Sequence, residues 1–354
     1  MKLNSNVILS MVVLLVFTGC SGNKTPNDKT QVTEDSTGIK QDKENLLAGE
    51  VEAVCYSGFR SGQHPDRGDG AKNPSYEQVL EDLDILTNCG FKLIRVYDSG
   101  ENSEMALRVI DENNLDINVL LGIWLRAELS NHETCEWLIE PIPDEMLQQN
   151  KKLNLQKIEK GIELANAFEN IVIAVNVGNE ALVDWNDHKV NADTIIAYVK
   201  KVKNAISQPV TVADNYKWWA EHGMALAKVV DFISIHTYPV WEGKDINEGL
   251  SYTIENLLEV KNSLPDVQIV ITEAGWPSTS VEFGERAGEE KQWRYYNELM
   301  NWAKEANITT FFFEAFDEDW KGDPGNPSGA EKHWGLFTVD RNPKKTALIL
   351  LNEN

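Results

Sequence analysis

Three observations predict that this 354-residue chain is an α/β protein, a closed (β/α)8 barrel of the TIM type. Eight short apolar runs rich in β-branched residues alternate with eight longer amphipathic stretches, the pattern of parallel strands and covering helices. Two of the runs stop at a glutamate. Glu180 closes Ile-Val-Ile-Ala-Val-Asn-Val-Gly-Asn-Glu (171–180), and Glu273 closes Val-Gln-Ile-Val-Ile-Thr-Glu (267–273). In a parallel barrel the reactive groups stand at such C-terminal strand ends. Finally, no Gly-x-Gly-x-x-Gly or Walker-type run follows an early strand, which disfavours a doubly wound open sheet built from the same alternation.

Residues 1–20 read as an address. Lys2 precedes an apolar stretch, Val7 to Phe17, that is too short to span a bilayer but suits the hydrophobic part of a secretory signal. It runs into Phe17-Thr18-Gly19-Cys20, which resembles a bacterial lipobox, so Cys20 is expected to be lipidated and to become the new N-terminus. Residues 21–47 are rich in Lys, Asp, Glu, Thr, Ser and Asn with almost no large apolar groups, and are expected to be a flexible tether. The barrel domain is expected over residues 48–354.

Strands are expected at 51–58, 91–97, 117–124, 171–178, 209–213, 231–237, 267–272 and 308–316. The helix Tyr76–Asn88 shows the reasoning for the segments between them: Val79, Leu80, Leu83, Leu86 and Thr87 fall on one face. Further helices are expected at 103–113, 144–168, 191–206, 218–229, 248–263, 286–306 and 344–351. Three connections after strands are long: Gly58–Pro74, Leu125–Pro143 and Asp317–His333. Loops of that length are uncommon unless functional or disordered. No solenoid repeat is visible.

Composition narrows the function. A net charge of −23 opposes nucleic acid and anionic lipid, which need clustered Lys and Arg, and suits an uncharged ligand. With Cys20 set aside, Cys55, Cys89 and Cys135 make no disulfide framework and stand at no metal-ligand spacing. Cys55 and Cys89 read as buried thiols, and a Cys89–Cys135 bridge stays open. The six histidines form neither His-x-His nor His-Glu-x-x-His, so no metal and no cofactor is expected.

The strand ends collect a consistent set. Strand 1 brings Tyr56, then Arg60 and Gln63; strand 2 brings Arg95, Tyr97 and Asp98; strand 3 brings Trp124. Asn179 and Glu180 come from strand 4, Asp214 and Asn215 from strand 5, His236 and Tyr238 from strand 6. Glu273 and Trp276 follow strand 7; Phe316, Asp317, Glu318, Trp320 and Lys321 follow strand 8. Two facing carboxylates are the minimum equipment for cleaving a glycosidic bond. Aromatic faces cover the apolar side of a sugar ring, and planar polar groups pair with its hydroxyls. The tryptophans suit that task, although Trp137, Trp293 and Trp302 read as packing residues. Arg95, a charge inside a strand, must be paired or functional, with Asp98 and Glu180 as candidate partners.

Val177-Gly178-Asn179-Glu180 and Ile271-Thr272-Glu273-Ala274-Gly275-Trp276-Pro277-Ser278 resemble the two catalytic motifs of glycoside hydrolase family 17. Ile94-Arg95-Val96-Tyr97-Asp98, Phe313-Glu314-Ala315-Phe316-Asp317-Glu318-Asp319-Trp320-Lys321 and Glu331-Lys332-His333-Trp334-Gly335-Leu336-Phe337 extend the resemblance over most of residues 51–340. It implies a barrel that hydrolyses or rearranges β-1,3-glucan with retention of configuration. Glu180 then matches the general acid/base, Glu273 the nucleophile, Asn179 a partner of the reacting sugar's 2-hydroxyl, and Tyr238 a residue steadying the nucleophile. Glu318 and Lys321 match the acidic and basic residues that line the cleft. Tyr56, Tyr97, Trp124, Trp276, Phe316 and Trp334 are expected to line it with aromatic surface. The chain departs from the plant-type pattern at Ile235-His236-Thr237-Tyr238-Pro239 and in its long first loop, and is more similar to bacterial members.

Retention requires carboxyls about 5–5.5 Å apart. Glu180 is expected to stay protonated near neutral pH through partial burial and the charge of Glu273, with Arg95 keeping Glu273 ionised. The resulting expectation is a monomeric, lipid-anchored β-1,3-glucanase of the bacterial cell envelope acting on laminarin-like glucan, without nucleic-acid partners. A glucanosyltransferase differs only in whether water or sugar reaches the intermediate. A non-catalytic glycan-binding lipoprotein would share the aromatics and the tether but not need both glutamates. A glycosidase for another β-linked glucan would share the glutamates but not the strand-7 motif.

Overall fold

The computed structural model describes Ile39, Gln41, residues 51–67 and residues 70–353. The signal segment, Cys20 and most of the expected tether lie outside the described residues. The eight strands are β1 (Ala53–Cys55), β2 (Leu93–Val96), β3 (Asn118–Ile123), β4 (Val172–Asn179), β5 (Val210–Asn215), β6 (Ile233–Thr237), β7 (Ile269–Gly275) and β8 (Thr310–Phe313). Each pairs in parallel with its neighbour in chain order, and β1 returns to β8 through Ala53 opposite Phe311. Val, Ile and Leu dominate the strands because both faces are covered, one by the barrel interior and the other by helices.

The helical layer follows the expected segments with displaced ends. It comprises α1 (Tyr76–Asn88), α2 (Glu101–Asn113), α3 (Asp144–Ala167), α4 (Ala192–Lys203), α5 (Tyr216–His222), α6 (Met224–Ala227), α7 (Gly249–Ser263), α8 (Glu289–Ala306) and α9 (Lys345–Glu353). Ser75 starts α1 with a reciprocal capping box to Gln78, which satisfies two otherwise free donors. The single helix expected over 218–229 is two helices broken at Gly223, where a Cβ would stand 2.5 Å from the Trp219 carbonyl oxygen. Among the described residues no helix is long and apolar enough to cross a membrane.

Pairing slips where chemistry is expected. The register shifts between Asn176 and Asn179 on β4, between Ile235 and His236 on β6, and between Ile271 and Ala274 on β7. Such irregularities re-aim side chains at strand ends, and here they flank Glu180, His236 and Glu273.

Two expectations change. Ile39 and Gln41, inside the segment expected to be a tether, are docked on the barrel. Ile39 is buried, and the Gln41 side chain donates to Ile269 O (2.8 Å) and accepts from Ile269 N (2.7 Å) where β7 begins. The Gln41 backbone adds bonds to Ala306 O (3.0 Å) and from Asn307 Nδ2 (3.1 Å), a local docking that composition averaged over 21–47 conceals. Cys89 and Cys135 form no disulfide with each other: both are buried thiols, and Cys135 Sγ donates to Trp185 O at 3.1 Å.

Candidate active site

Glu180 and Glu273 meet across the C-terminal end of the barrel. A carboxylate oxygen of each, together with a ring nitrogen of His236, lie within 4.8 Å of one another. Glu273 is almost fully buried. Its Oε1 accepts from Arg95 Nη1 at 2.6 Å and its Oε2 from the Tyr238 hydroxyl at 2.6 Å. Glu180 keeps 22% of its side chain exposed and faces the opening. It holds a left-handed backbone (φ 46°) just after Gly178 (φ 86°), a conformation that costs a non-glycine residue of order 1 kcal/mol. Glu180 N donates to Ala213 O at 2.9 Å, and Asn186 Nδ2 donates to both Glu180 O (3.2 Å) and Oε2 (3.0 Å), which fixes the turn.

Arg95 organises the floor. It reaches Glu273 as expected, but its other partners are Asn179 Oδ1, Thr272 O (2.9 Å) and His236 Nε2 (3.2 Å) rather than Asp98 and Glu180. Its guanidinium also lies 4.6 Å from the centre of the Tyr97 ring. A guanidinium has only donors, so His236 Nε2 must accept and the ring carries its hydrogen on Nδ1. That hydrogen points to Glu180 Oε1 at 2.8 Å, with Glu273 Oε2 at 3.5 Å. The cluster has the donor types of a metal site, but Arg95 already supplies a permanent positive charge to it.

These contacts overturn the expectation that Glu180 rests protonated. Burial pushes its carboxyl up, but the hydrogen bond that His236 donates, aided by Asn186 and His188, outweighs burial and holds it at about 2.

Around this centre, Trp334 is buried behind Tyr238, with ring centres 5.2 Å apart, and Phe313 lies 5.7 Å from Tyr238. Lys321 Nζ sits 4.5 Å from the Phe313 ring and binds Glu318 (2.5 Å) and Glu314 (3.0 Å). Burial and the charge of Glu318 push Glu314 well above the usual carboxylate range, whereas Lys321 and hydrogen bonds hold Glu318 below it against the effect of burial. Half-buried Trp124 lies against His188 at 4.5 Å, and His188 Nε2 bonds Asn179 O at 2.9 Å.

The remaining sequence candidates serve the scaffold. Tyr56, Arg60 and Gln63 turn under the first loop: Arg60 (2.6 Å), the Tyr56 hydroxyl (3.3 Å) and Arg341 (2.7 Å) converge on buried Asp82, while Gln63 binds Gln78. Phe316 is buried between Tyr56 and Phe337, beneath Arg341 at 4.2 Å. Asp98 accepts from Gly100 N and Ser103 Oγ, both at 3.0 Å, at the start of α2. Asp214 is fully buried and accepts from Leu182 N at 2.9 Å, anchoring the Glu180 turn from behind. Trp276 is also fully buried, donating to Arg286 O at 2.8 Å and packing on Tyr295. In each case a polar or aromatic strand-end residue found a closer partner in the wall than in the cleft.

Three functional candidates were given no role from the sequence, although His236 was placed at a strand end: His236, Glu314 and Asn186. His236 was legible: Ser234, His236 and Tyr238 alternate, so His236 shares the inward face of Tyr238. Glu314 interrupts an aromatic run, a detectable anomaly. Asn186 sits in an irregular loop with no local signal.

Residues 53–335 match the BtgE/BtgC glycoside hydrolase domain family. A glucan 1,3-beta-glucosidase of Arthroderma benhamiae is 26% identical over 77% of this chain and 85% of its own length. A probable glucan endo-1,3-beta-glucosidase btgC of Aspergillus terreus is 27% identical over 77% of this chain, but only 41% of its own length. Among solved structures, an endo-laminarinase from Formosa Hel1_33_131 superposes with a TM-score of 0.74 at 26% identity, covering 87% of this chain and 88% of that one. In agreement with the family 17 motifs, this chain belongs to the BtgE/BtgC glycoside hydrolase family.

Proposed function

We propose that the protein is a retaining β-1,3-glucanase that cleaves laminarin-like glucan by double displacement, with Glu273 as nucleophile and Glu180 as acid/base. The single observation that carries the mechanism is the approach of the two carboxylates. Oxygens within 4.8 Å of one another support direct attack on the anomeric carbon, since the carboxyls of a retaining pair stand about 5–5.5 Å apart and those of an inverting pair roughly 6.5–9.5 Å. The substrate class rests on the activities for which the relatives are named, glucan 1,3-beta-glucosidase and endo-laminarinase.

In this reading Arg95 and Tyr238 aim the two oxygens of Glu273. A bound sugar removes the still exposed part of Glu180 from water, which favours the neutral acid. Glu273 attacks the anomeric carbon, the glycosidic bond breaks, and the Glu180 proton goes to the leaving oxygen. Glu180, again a carboxylate accepting from His236 Nδ1–H, then takes a proton from water as it attacks the glycosyl–Glu273 ester. Asn179, oriented by Arg95, is left to pair with the 2-hydroxyl of the reacting sugar. One chain supplies all of these groups, so the enzyme is read as a monomer. Lipidation at Cys20 and display from the bacterial cell envelope complete the proposal, supported by Phe17-Thr18-Gly19-Cys20.

The test is hydrolysis of linear β-1,3-glucan beside cellulose and starch. Release of gluco-oligosaccharides from laminarin, with little from the other two, supports the reading; equal rates on cellulose would remove the substrate assignment.

A further inference from the structure

The long β3–α3 connection was expected to contain a packing tryptophan, yet it exposes one. Trp137 is 79% exposed and its neighbour Ile139 87%, and Trp185, on the connection after β4, is 48% exposed. Scattered exposed apolar residues are ordinary, but these indoles sit on two loops that are bonded to each other. Asn131 Nδ2 donates to Asp184 O (2.7 Å) and Asn186 O (2.8 Å), and Thr134 Oγ1 donates to Asp184 O (3.2 Å). Cys135 Sγ donates to Trp185 O (3.1 Å), while Glu128 N and Leu129 N both donate to Lys189 O. These bonds fix the two loop backbones that carry the indoles, so little loop ordering is left for a ligand that meets them.

The same loop reaches the chemistry. Asn186, the residue after Trp185, touches the Glu180 oxygen that faces away from His236. Glu180 protonates the leaving oxygen, so the loop that continues from it borders the sugars released at that step. On the Glu273 side, Tyr238, Phe313 and Trp334 already pack against one another. We propose that Trp185 and Trp137 form a binding face for the glucosyl units on the leaving-group side of a β-1,3-glucan chain. The indoles present flat apolar surface to the C–H faces of neutral sugar rings, which a chain of net charge −23 does not repel. This rests on the glucanase reading above and adds to it: with leaving-side units bound beyond the cleaved bond, the enzyme cuts within chains.

The experiment compares laminarihexaose with an aryl β-laminaribioside, whose leaving group is a phenol rather than a sugar, in wild type, Trp185→Ala and Trp137→Ala. The readout is the ratio of kcat/KM for the two substrates. In Trp185→Ala the ratio should fall roughly three- to tenfold, mostly through KM, with partial recovery in Trp185→Phe; Trp137→Ala should show a smaller fall. An unchanged ratio overturns the proposal, and so does a ratio that falls through kcat with KM for laminarihexaose unmoved, which would make Trp185 a support for Asn186 and Glu180, because the sugar leaving group needs the Glu180 proton and the phenol does not. If wild type cleaves neither substrate, the glucanase reading itself fails, a result distinct from an unchanged ratio in an active enzyme.

Discussion

Replacing His236 with phenylalanine isolates what sets the proton affinity of Glu180. The Glu180 carboxyl is held at about 2 against an ordinary 4.5, a gap worth on the order of 3 kcal/mol. Burial opposes that gap, and Asn186 and His188 assist it, so His236 supplies a large share but not the whole. A buried hydrogen bond to a charged group contributes about 1.5–3 kcal/mol, which corresponds to roughly one to two pH units. The sign follows from the direction of the shift. A carboxyl depressed in the folded state contributes stability above its unfolded value near 4.5, and that contribution is lost as pH falls towards 2. His236→Phe should therefore cost about 1.5–3 kcal/mol more at pH 7 than near pH 2. The cavity or overpacking cost of the new ring is independent of pH and cancels in that comparison. The alkaline limb of the kcat/KM profile, which reports the acid in the free enzyme, should move up by about one to two units. Denaturant unfolding at several pH values and initial rates on laminarin, whose alcohol leaving group needs the proton, measure both. A variant whose stability loss is the same at every pH, with an unmoved limb, would refute the reasoning.

Two further outcomes follow from the packing and the sequence. Asp82→Ala leaves buried Arg341 without its carboxylate and half-buried Arg60 with Glu81 alone, and should cost about 3–5 kcal/mol in urea unfolding, with KM for laminarin unchanged in the folded fraction; a raised KM at full stability would return Arg60 to the cleft. Cys20→Ala should leave the protein unprocessed or soluble, and membrane fractionation with the original lipid mass would end the lipobox proposal.

The barrel was legible because a parallel strand buried on both faces has little choice but a β-branched run, as in Val172–Asn179 and Ile269–Gly275. Glu180, Glu273, Asn179, Arg95 and Tyr238 were legible because they terminate or interrupt such runs. The wall residues misled because a strand-end position fixes height in the barrel, not direction. Tyr56, Asp214 and Trp276 stand at the expected height but turn to Asp82, Leu182 and Arg286. The resting state of Glu180 was hidden for another reason. It depends on an imidazole tautomer set by Arg95 from a different strand, and no sequence spacing encodes that contact.

The division of labour between the two glutamates is tested most directly by the anomeric configuration of the glycosyl azide formed from an activated aryl β-glycoside. In Glu273→Ala, azide should enter the space left by the nucleophile and give the α-glycosyl azide. In Glu180→Ala, the glycosyl–Glu273 ester still forms because the phenol needs no proton, and azide then attacks from the opposite face to give the β-glycosyl azide. The reverse pair of products would show that the roles are exchanged. Full activity of either variant on unmodified laminarin would show that its glutamate is not catalytic.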